Sequence, residues 1–110
     1  MAYRLQYTFK TKNAVAFDRT VQLLEQLQAI SAEHGLAERR IMTQAFGPFN
    51  QLVVNVDYPD LASYERESEL FFALREVQEV IEQLPAVLRE ADPGETAMWE
   101  DVSGDAPPSG

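Results

Sequence analysis

The stretch RRIMTQAFGPFNQLVVNVDYPDLASYE, residues 39–65, decides the fold of this chain. Residues 39–46 and 51–58 are short runs rich in branched and apolar side chains, which is typical of β-strands. Between them, GPFN at 47–50 contains a glycine and a proline, two residues that favour turns. The stretch therefore predicts a hairpin of two antiparallel strands, followed by a helix with Asp60 as its N-cap.

The residues before this hairpin predict one strand and one helix. YRLQYTFK at 3–10 alternates strictly between apolar and polar side chains, so it predicts a strand with a single apolar face. Asn13 then suits the N-cap of a helix that runs from Ala14 to about residue 34. Gly35 ends this helix, because glycine readily adopts the left-handed conformation that follows a helix.

The residues after the hairpin predict a second helical segment and a last strand. Apolar side chains recur at helical spacing from Leu61 to Leu88, and Pro85 should kink or break this segment. TAMWEDV at 96–102 predicts the last strand. The small, polar and proline-rich tail at 103–110 is expected to be disordered, which leaves a single domain over residues 1–102.

The predicted element order is β-α-β-β-α-β, the order of the ferredoxin-like α+β fold. Such a chain forms a four-stranded antiparallel sheet with two helices on one face. The other face, which we call the open face, remains uncovered in a single chain. A domain of 110 residues has an unfavourable ratio of surface to volume, and we expect two copies to pair through their open faces into an α/β barrel.

The open face is predicted to mix amides with apolar side chains. The candidate ligand-binding residues placed there are Gln6, Thr8, Met42, Gln44, Phe46, Val53, Asn55 and Met98. A solvated face would carry more charge and a closed core fewer amides, so the mixture favours a partly polar cavity inside the barrel. The alternative is a subunit interface without a ligand. In the second and fourth strands, the alternation of side chains decides less clearly which residues lie on the open face, since a one-residue bulge reverses the assignment.

Composition argues against several classes of partner. The net charge of −9 disfavours nucleic acids and anionic membrane surfaces, both of which need basic residues. The absence of cysteine excludes disulfides and thiolate chemistry. Neither a signal peptide nor a membrane-spanning run is evident, so we expect a cytoplasmic protein. The sequence predicts no metal site and no cofactor.

Three local clusters can each be interpreted either as an ordinary structural feature or as a functional one. Glu65, Glu67 and Glu69 are spaced by two residues, so on a helix they point to different faces rather than toward one metal ion. The pair at 39–40, Arg-Arg, either binds an anionic ligand at the barrel mouth or neutralises nearby acids. The pair at 71–72, Phe-Phe, should place one ring in the core and the other partly outside it.

Several features together resemble the dimeric α/β-barrel superfamily. They are the element order, the hairpin AFGPFNQLVVNVDY, the helix start YPDLASYE and the tryptophan in AMWEDV. Its NIPSNAP-like and antibiotic-biosynthesis-monooxygenase-like branches are the most similar in appearance, and the resemblance covers roughly residues 3–102. It implies a homodimer whose two sheets close into a barrel.

The resemblance implies different residues for different activities. In the monooxygenase branch, Asn, Trp, Tyr and Arg side chains hold a polycyclic aromatic substrate, and the corresponding residue types here are Asn55, Trp99, Tyr7 and Arg4. Of these, only Asn55 and Arg4 are predicted to lie on the open face, with Trp99 and Tyr7 beneath the helices. The haem-degrading branch needs a histidine ligand, but His34 is expected at the end of the first helix, where the helix dipole favours it.

Three functions remain open from the sequence. The leading one is a dimeric protein that binds an apolar or aromatic small molecule in the barrel cavity. The alternative is an enzyme, either a cofactor-independent monooxygenase or a cyclase/isomerase, that acts on a polyketide-like aromatic substrate with Arg4 and Asn55 as catalytic candidates. The third is a purely structural dimer.

Overall fold

The computed structural model describes residues 2–43, 50–89 and 95–102. The strands are β1 (Tyr3–Lys10), β2 (Arg39–Thr43), β3 (Gln51–Tyr58) and β4 (Glu95–Glu100). The helices are α1 (Ala14–Glu33), α2 (Leu61–Ala73) and α3 (Arg75–Ile81), and a short 3-10 helix spans Leu84–Ala86. The ferredoxin-like α+β order is thus confirmed, with the second helical segment divided.

The four strands form one antiparallel sheet in the order β2-β3-β1-β4. Leu5 of β1 lies opposite Val56 of β3, and Gln6 lies opposite Asn55. Residues that face each other in an antiparallel pair share a face of the sheet, so this register separates the apolar side chains from the polar ones. The predicted faces of β1 and β3 are confirmed.

Both ends of α1 have the capping that the sequence predicts. The Asn13 side chain accepts a hydrogen bond from the backbone N–H of Ala16 at 2.8 Å, which satisfies one of the free donors of the first turn. Beyond the last turn, Gly35 has a φ of +67°, in the left-handed region where a side chain would be strained.

The second helical segment is broken twice. Asp60 caps α2 by accepting a hydrogen bond from the backbone N–H of Ser63 at 2.7 Å. Leu74 then adopts an extended conformation that divides α2 from α3, although neither glycine nor proline marks this position. The second break is the one that Pro85 predicts: α3 ends before it, and the proline lies inside the 3-10 helix, where its missing N–H is tolerated.

The core lies between the sheet and the helices. Apolar residues of β1 and β3 pack there against α1, α2 and α3, and the most buried include Leu5, Leu23, Leu52, Val56 and Val77. Phe71 is buried at 3% exposure and Phe72 is 40% exposed, as the sequence predicts for this pair. No helix in the described ranges is long and apolar enough to cross a membrane.

Some predictions fall on residues that the structure does not describe. Gln44 and Phe46, placed on the open face from the sequence, lie outside the described residues, as do residues 47–49 of the predicted turn and the tail at 103–110. The two strands of the predicted hairpin are nevertheless paired, with Met42 opposite Val53.

Candidate functional site

The helix-covered face of the sheet contains a pocket, which we call the helix-side pocket. It has a volume of about 440 Å³ and is lined mainly by aliphatic and aromatic side chains. Tyr7 and Phe9 of β1 form part of the wall, with Leu24 and Leu27 of α1 and Phe71 of α2 around them. Known small-molecule pockets measure roughly 300–1,000 Å³, and they too combine an apolar lining with a few polar groups.

Arg39 is the buried charged residue of this pocket. It is the first residue of β2 and lies opposite Val56, which turns its side chain toward the helices. The side-chain N–H of Gln28 in α1 donates to the Arg39 carbonyl at 2.7 Å, which fixes this end of the strand against the helix. Arg39 is 8% exposed, so the residue as a whole is buried.

Aromatic rings surround the Arg39 guanidinium. Its central carbon lies 4.3 Å from the centroid of the Phe71 ring and 5.5 Å from that of Tyr7. Both distances are short enough for cation–π attraction. Burial raises the pKa of the Tyr7 hydroxyl, although Arg39 opposes this shift, and burial raises the pKa of Tyr58 to about 12. Both phenols are therefore neutral at physiological pH and supply no negative charge to the arginine.

No carboxylate within the described ranges forms an ion pair with Arg39. Glu67 reaches the same region from α2, but its carboxylate accepts a hydrogen bond from the backbone N–H of Ala37 at 2.6 Å. Burial lowers the pKa of Arg39, against the opposing influence of the two tyrosines. A guanidinium nevertheless stays protonated in proteins, so the pocket holds a buried positive charge.

The open face carries five of the residues predicted to bind a ligand. Gln6, Thr8, Met42, Val53 and Asn55 all share it, as their cross-strand partners show. Asn55 is 6% exposed, and its side-chain N–H donates to the Met42 sulfur at 3.2 Å. Its Oδ1 has no hydrogen-bond partner in the described structure. A buried carbonyl without a partner costs roughly 1–3 kcal/mol, so this atom suits a donor from a second molecule.

Charges on the open face are paired. Asp57 accepts hydrogen bonds from Arg4 Nε at 2.8 Å and from Arg40 at 2.7 Å. These two arginines hold the pKa of the carboxyl below its ordinary value, Arg4 contributing most. The pair at 39–40 therefore divides between the two faces: Arg40 neutralises an acid, one of the two interpretations from the sequence, whereas Arg39 does not.

The fourth strand corrects two predictions. Met98 lies opposite Leu5, on the helix-covered face, so its placement beside Gln6 on the open face is wrong. Trp99 lies opposite Arg4 on the open face, 58% exposed, and not beneath the helices as predicted. The physical reason is that β4 is a partly exposed edge strand with an apolar residue on each of its two sides. Only its pairing with β1 therefore fixes which side faces the helices. Tyr7 is beneath the helices, as predicted.

Trp99 and Arg4 also border a shallow cleft of about 540 Å³ on the open face. Asp57, Glu100 and Asp101 contribute three acidic residues to its lining, and Arg4 contributes a basic one. Asn55 does not line this cleft. The residue types implied by the monooxygenase resemblance are thus spread over two sites, with Tyr7 on the other face.

The remaining polar candidates have structural partners. The exposed His34 side chain lies 2.9 Å from Glu76, so it links the end of α1 to α3. In the described residues no group of three His, Cys, Asp or Glu side chains could hold a metal ion.

The sequence did not predict the helix-side pocket, nor that Arg39 lies in it beside Phe71. The position of Arg39 could have been predicted from the sequence, because residues two apart on a strand lie on the same side. Arg39 must therefore point toward the helices if Ile41 does. The pocket itself has no such signal, since its volume depends on where α2 and α3 lie above the sheet.

Comparisons with known proteins support the fold. A NIPSNAP-like domain protein from Burkholderia xenovorans has 18% sequence identity and a TM-score of 0.72, covering 96% of this chain and 90% of its own. A structure described as an antibiotic biosynthesis monooxygenase has 15% identity and a TM-score of 0.69, covering 91% and 98%. A cofactor-independent oxygenase from Streptomyces nogalater has 13% identity and a TM-score of 0.68, covering 92% and 93%.

The resemblance seen in the sequence is therefore confirmed at the level of fold. No family model matches the chain, and no curated protein matches it. At these identities the likeness concerns the fold and not the activity, because one fold hosts many unrelated functions.

Proposed function

We propose that this protein binds an apolar or aromatic small molecule in the helix-side pocket. The observation that carries the proposal is a preformed cavity of about 440 Å³ whose wall is aliphatic and aromatic apart from Arg39, Arg89 and Thr96. Filling such a cavity removes apolar surface from water, which contributes roughly 25 cal/mol for each Å² buried. This moves the binding site from the open face, where the sequence placed it, to the opposite side of the sheet.

We further propose that two copies pair through the open face. Met42 is 50% exposed there, and the buried Asn55 Oδ1 lacks a donor in the described part of the chain. A second open face would cover the methionine and could supply the donor. The subunit contact, or a cavity enclosed by it, then includes the side chains of Gln6, Thr8 and Val53, as the sequence predicts.

The two proposed locations for a ligand can be separated with one pair of variants. Thr96 lines the helix-side pocket, whereas Ala97 faces the other way, opposite Gln6. Both are exposed positions of the same strand, so tryptophan should be tolerated at either. The probe is phenylnaphthylamine, a neutral aromatic dye that becomes fluorescent in apolar sites.

We expect Thr96→Trp to weaken dye binding at least tenfold and Ala97→Trp to leave it unchanged. The reverse result would return the ligand to the open face. If the wild-type protein does not bind the dye at all, the binding proposal fails. Native mass spectrometry of protein purified gently from its own cells would then report the subunit number and any retained molecule together.

A cofactor-independent oxygenase is the second candidate function. It is favoured by the position of Trp99 opposite Arg4 on the open face, which the sequence did not predict. The names of two structural neighbours, an antibiotic biosynthesis monooxygenase and a cofactor-independent oxygenase, suggest the same chemistry. Against it, the Arg4 guanidinium is already bound to Asp57.

A further inference from the structure

We infer that the ligand of the helix-side pocket is an anion, an apolar molecule with a carboxylate, phenolate or enolate group that binds Arg39. This inference rests on the proposed function and specifies the chemical class of the ligand. It starts from a buried charge: Arg39 is 8% exposed, and no carboxylate in the described ranges forms an ion pair with it.

A buried charge of this kind is costly unless something offsets it. Removing a charged side chain from water is strongly unfavourable, and proteins normally place a carboxylate beside it. The rings of Phe71 and Tyr7 attract the cation, but they neither neutralise it nor saturate the five N–H donors of a guanidinium. An anionic ligand would do both.

The other charged residue of the lining has the same sign. Arg89 borders the pocket and is exposed, and no acidic side chain appears among the described residues of the lining. The chain as a whole has eighteen acidic residues and nine basic ones. The overall field of the protein repels anions, so any preference for them must come from this local arrangement.

The shape of the site narrows the chemical class of the ligand further. The planar guanidinium can donate two parallel hydrogen bonds to a carboxylate or to neighbouring oxygens of an enolised diketone. Around it the wall is apolar and aromatic, which suits a hydrocarbon or ring body behind the charged group. Small inorganic anions would leave that wall exposed to water, so they should bind poorly.

Two dyes with the same aromatic skeleton test this inference. Phenylnaphthylamine is neutral, and anilinonaphthalene sulfonate carries one anionic group in addition. We expect the sulfonate to bind the wild-type protein at least tenfold more tightly. Arg39→Met should remove that advantage, so that the sulfonate and the neutral dye bind the variant with similar affinity, and Arg39→Lys should restore part of it. Arg75→Met is the control, because it removes one positive charge from a side chain that is 92% exposed.

The outcomes separate the inference from the proposal beneath it. If both dyes bind equally and Arg39→Met affects neither, the anion inference is wrong and the pocket stands. Equal losses for both dyes would also overturn it, because Arg39 would then only shape the cavity. If neither dye binds the wild-type protein, the pocket proposal fails as well.

A second measurement needs no variant and decides the matter if Arg39→Met does not fold. Naphthoate and naphthamide have the same ring system and differ in charge. Naphthoate should displace the neutral dye from the wild-type protein at a concentration at least tenfold lower than naphthamide. Equal displacement would contradict the inference.

Discussion

The guanidinium carbon of Arg39 lies 4.3 Å from the centroid of the Phe71 ring, inside the helix-covered face of the sheet. One ring therefore belongs both to the core and to the support of a buried cation. Its neighbour Phe72 meets it edge-on, with ring centroids 5.3 Å apart, at the more exposed side of the pocket. The two phenylalanines offer a matched comparison of core packing with pocket lining.

Phe71→Ala should lower the free energy of unfolding by about 3–5 kcal/mol, because it leaves a cavity in the core. Phe72→Ala should lower it by only about 1 kcal/mol, since its ring is 40% exposed and loses less buried surface. Urea denaturation of both variants beside the wild-type protein measures the difference. Equal losses would contradict the separate roles of the two rings.

Asp57→Asn should remove a small, pH-dependent part of the stability. The pKa of Asp57 is held below its ordinary value of 3.8, mainly by the hydrogen bond from Arg4. Its contribution is therefore present above about pH 4 and is lost as the pH falls through the lower pKa of the folded state. Because the side chain is 41% exposed, we expect less than about 1 kcal/mol.

The measurement for Asp57 is the urea midpoint of both proteins at neutral pH and at a series of acidic pH values that extends well below the ordinary pKa of 3.8. The variant should be less stable at neutral pH, and the difference should shrink in acid and in high salt. A difference that is independent of pH would show that the aspartate acts through packing or local structure.

Tyr58→Phe should alter stability in alkaline solution. Burial raises the pKa of Tyr58 from 10.0 to about 12. The neutral phenol therefore contributes a stabilisation that is complete below pH 10 and is lost as the pH rises through about 12. A pKa difference of this size corresponds to roughly 2–3 kcal/mol in the free energy of unfolding. The phenylalanine variant should lose less stability between these pH values than the wild-type protein.

Ultraviolet absorbance of tyrosinate follows the same group directly. One transition near pH 12 should disappear in Tyr58→Phe, while those of the other three tyrosines remain. If all the wild-type transitions fall near the ordinary value, Tyr58 is not shielded from water as the structure shows.

Val53→Glu should prevent pairing through the open face, because it places a charge at the centre of the proposed subunit contact. Val53 lies opposite Met42 and Thr8, in the middle of that face. Val15→Glu is the control, since Val15 is 81% exposed on α1, away from the sheet. Sedimentation velocity should report a dimer for the wild-type protein and the control, and a monomer for Val53→Glu. A wild-type monomer would refute the pairing proposal.

Asn55→Ala and Arg4→Ala test the oxygenase candidate. If these side chains orient a polyphenolic substrate and stabilise its anion, each variant should lose at least a hundredfold in turnover, far more than the small loss of stability from breaking the Arg4–Asp57 pair would cause. The matched control is Arg40→Ala, which also frees Asp57 from one arginine. Unchanged turnover in the first two variants would remove Asn55 and Arg4 from this role.

The elements of the fold follow from local physical chemistry. The alternation of residues 3–10, the Asn13 and Asp60 caps and the glycine after α1 each act within a few residues, so their effects are visible in the sequence. The break at Leu74 is different. No residue there disfavours a helix, and we infer that packing of α2 and α3 over the sheet outweighs local propensity.

The site required the tertiary structure. By itself the sequence determined which side chains of β1 and β3 share a face, because strand alternation is a local property. Pairing with β1 decided that Met98 lies with the helices and Trp99 on the open face, since β4 is apolar on both parities. The helix-side pocket depends on how helices distant in sequence meet the sheet. The surroundings of the buried Arg39 guanidinium depend on the same packing, because it decides which side chains come within reach of the charge.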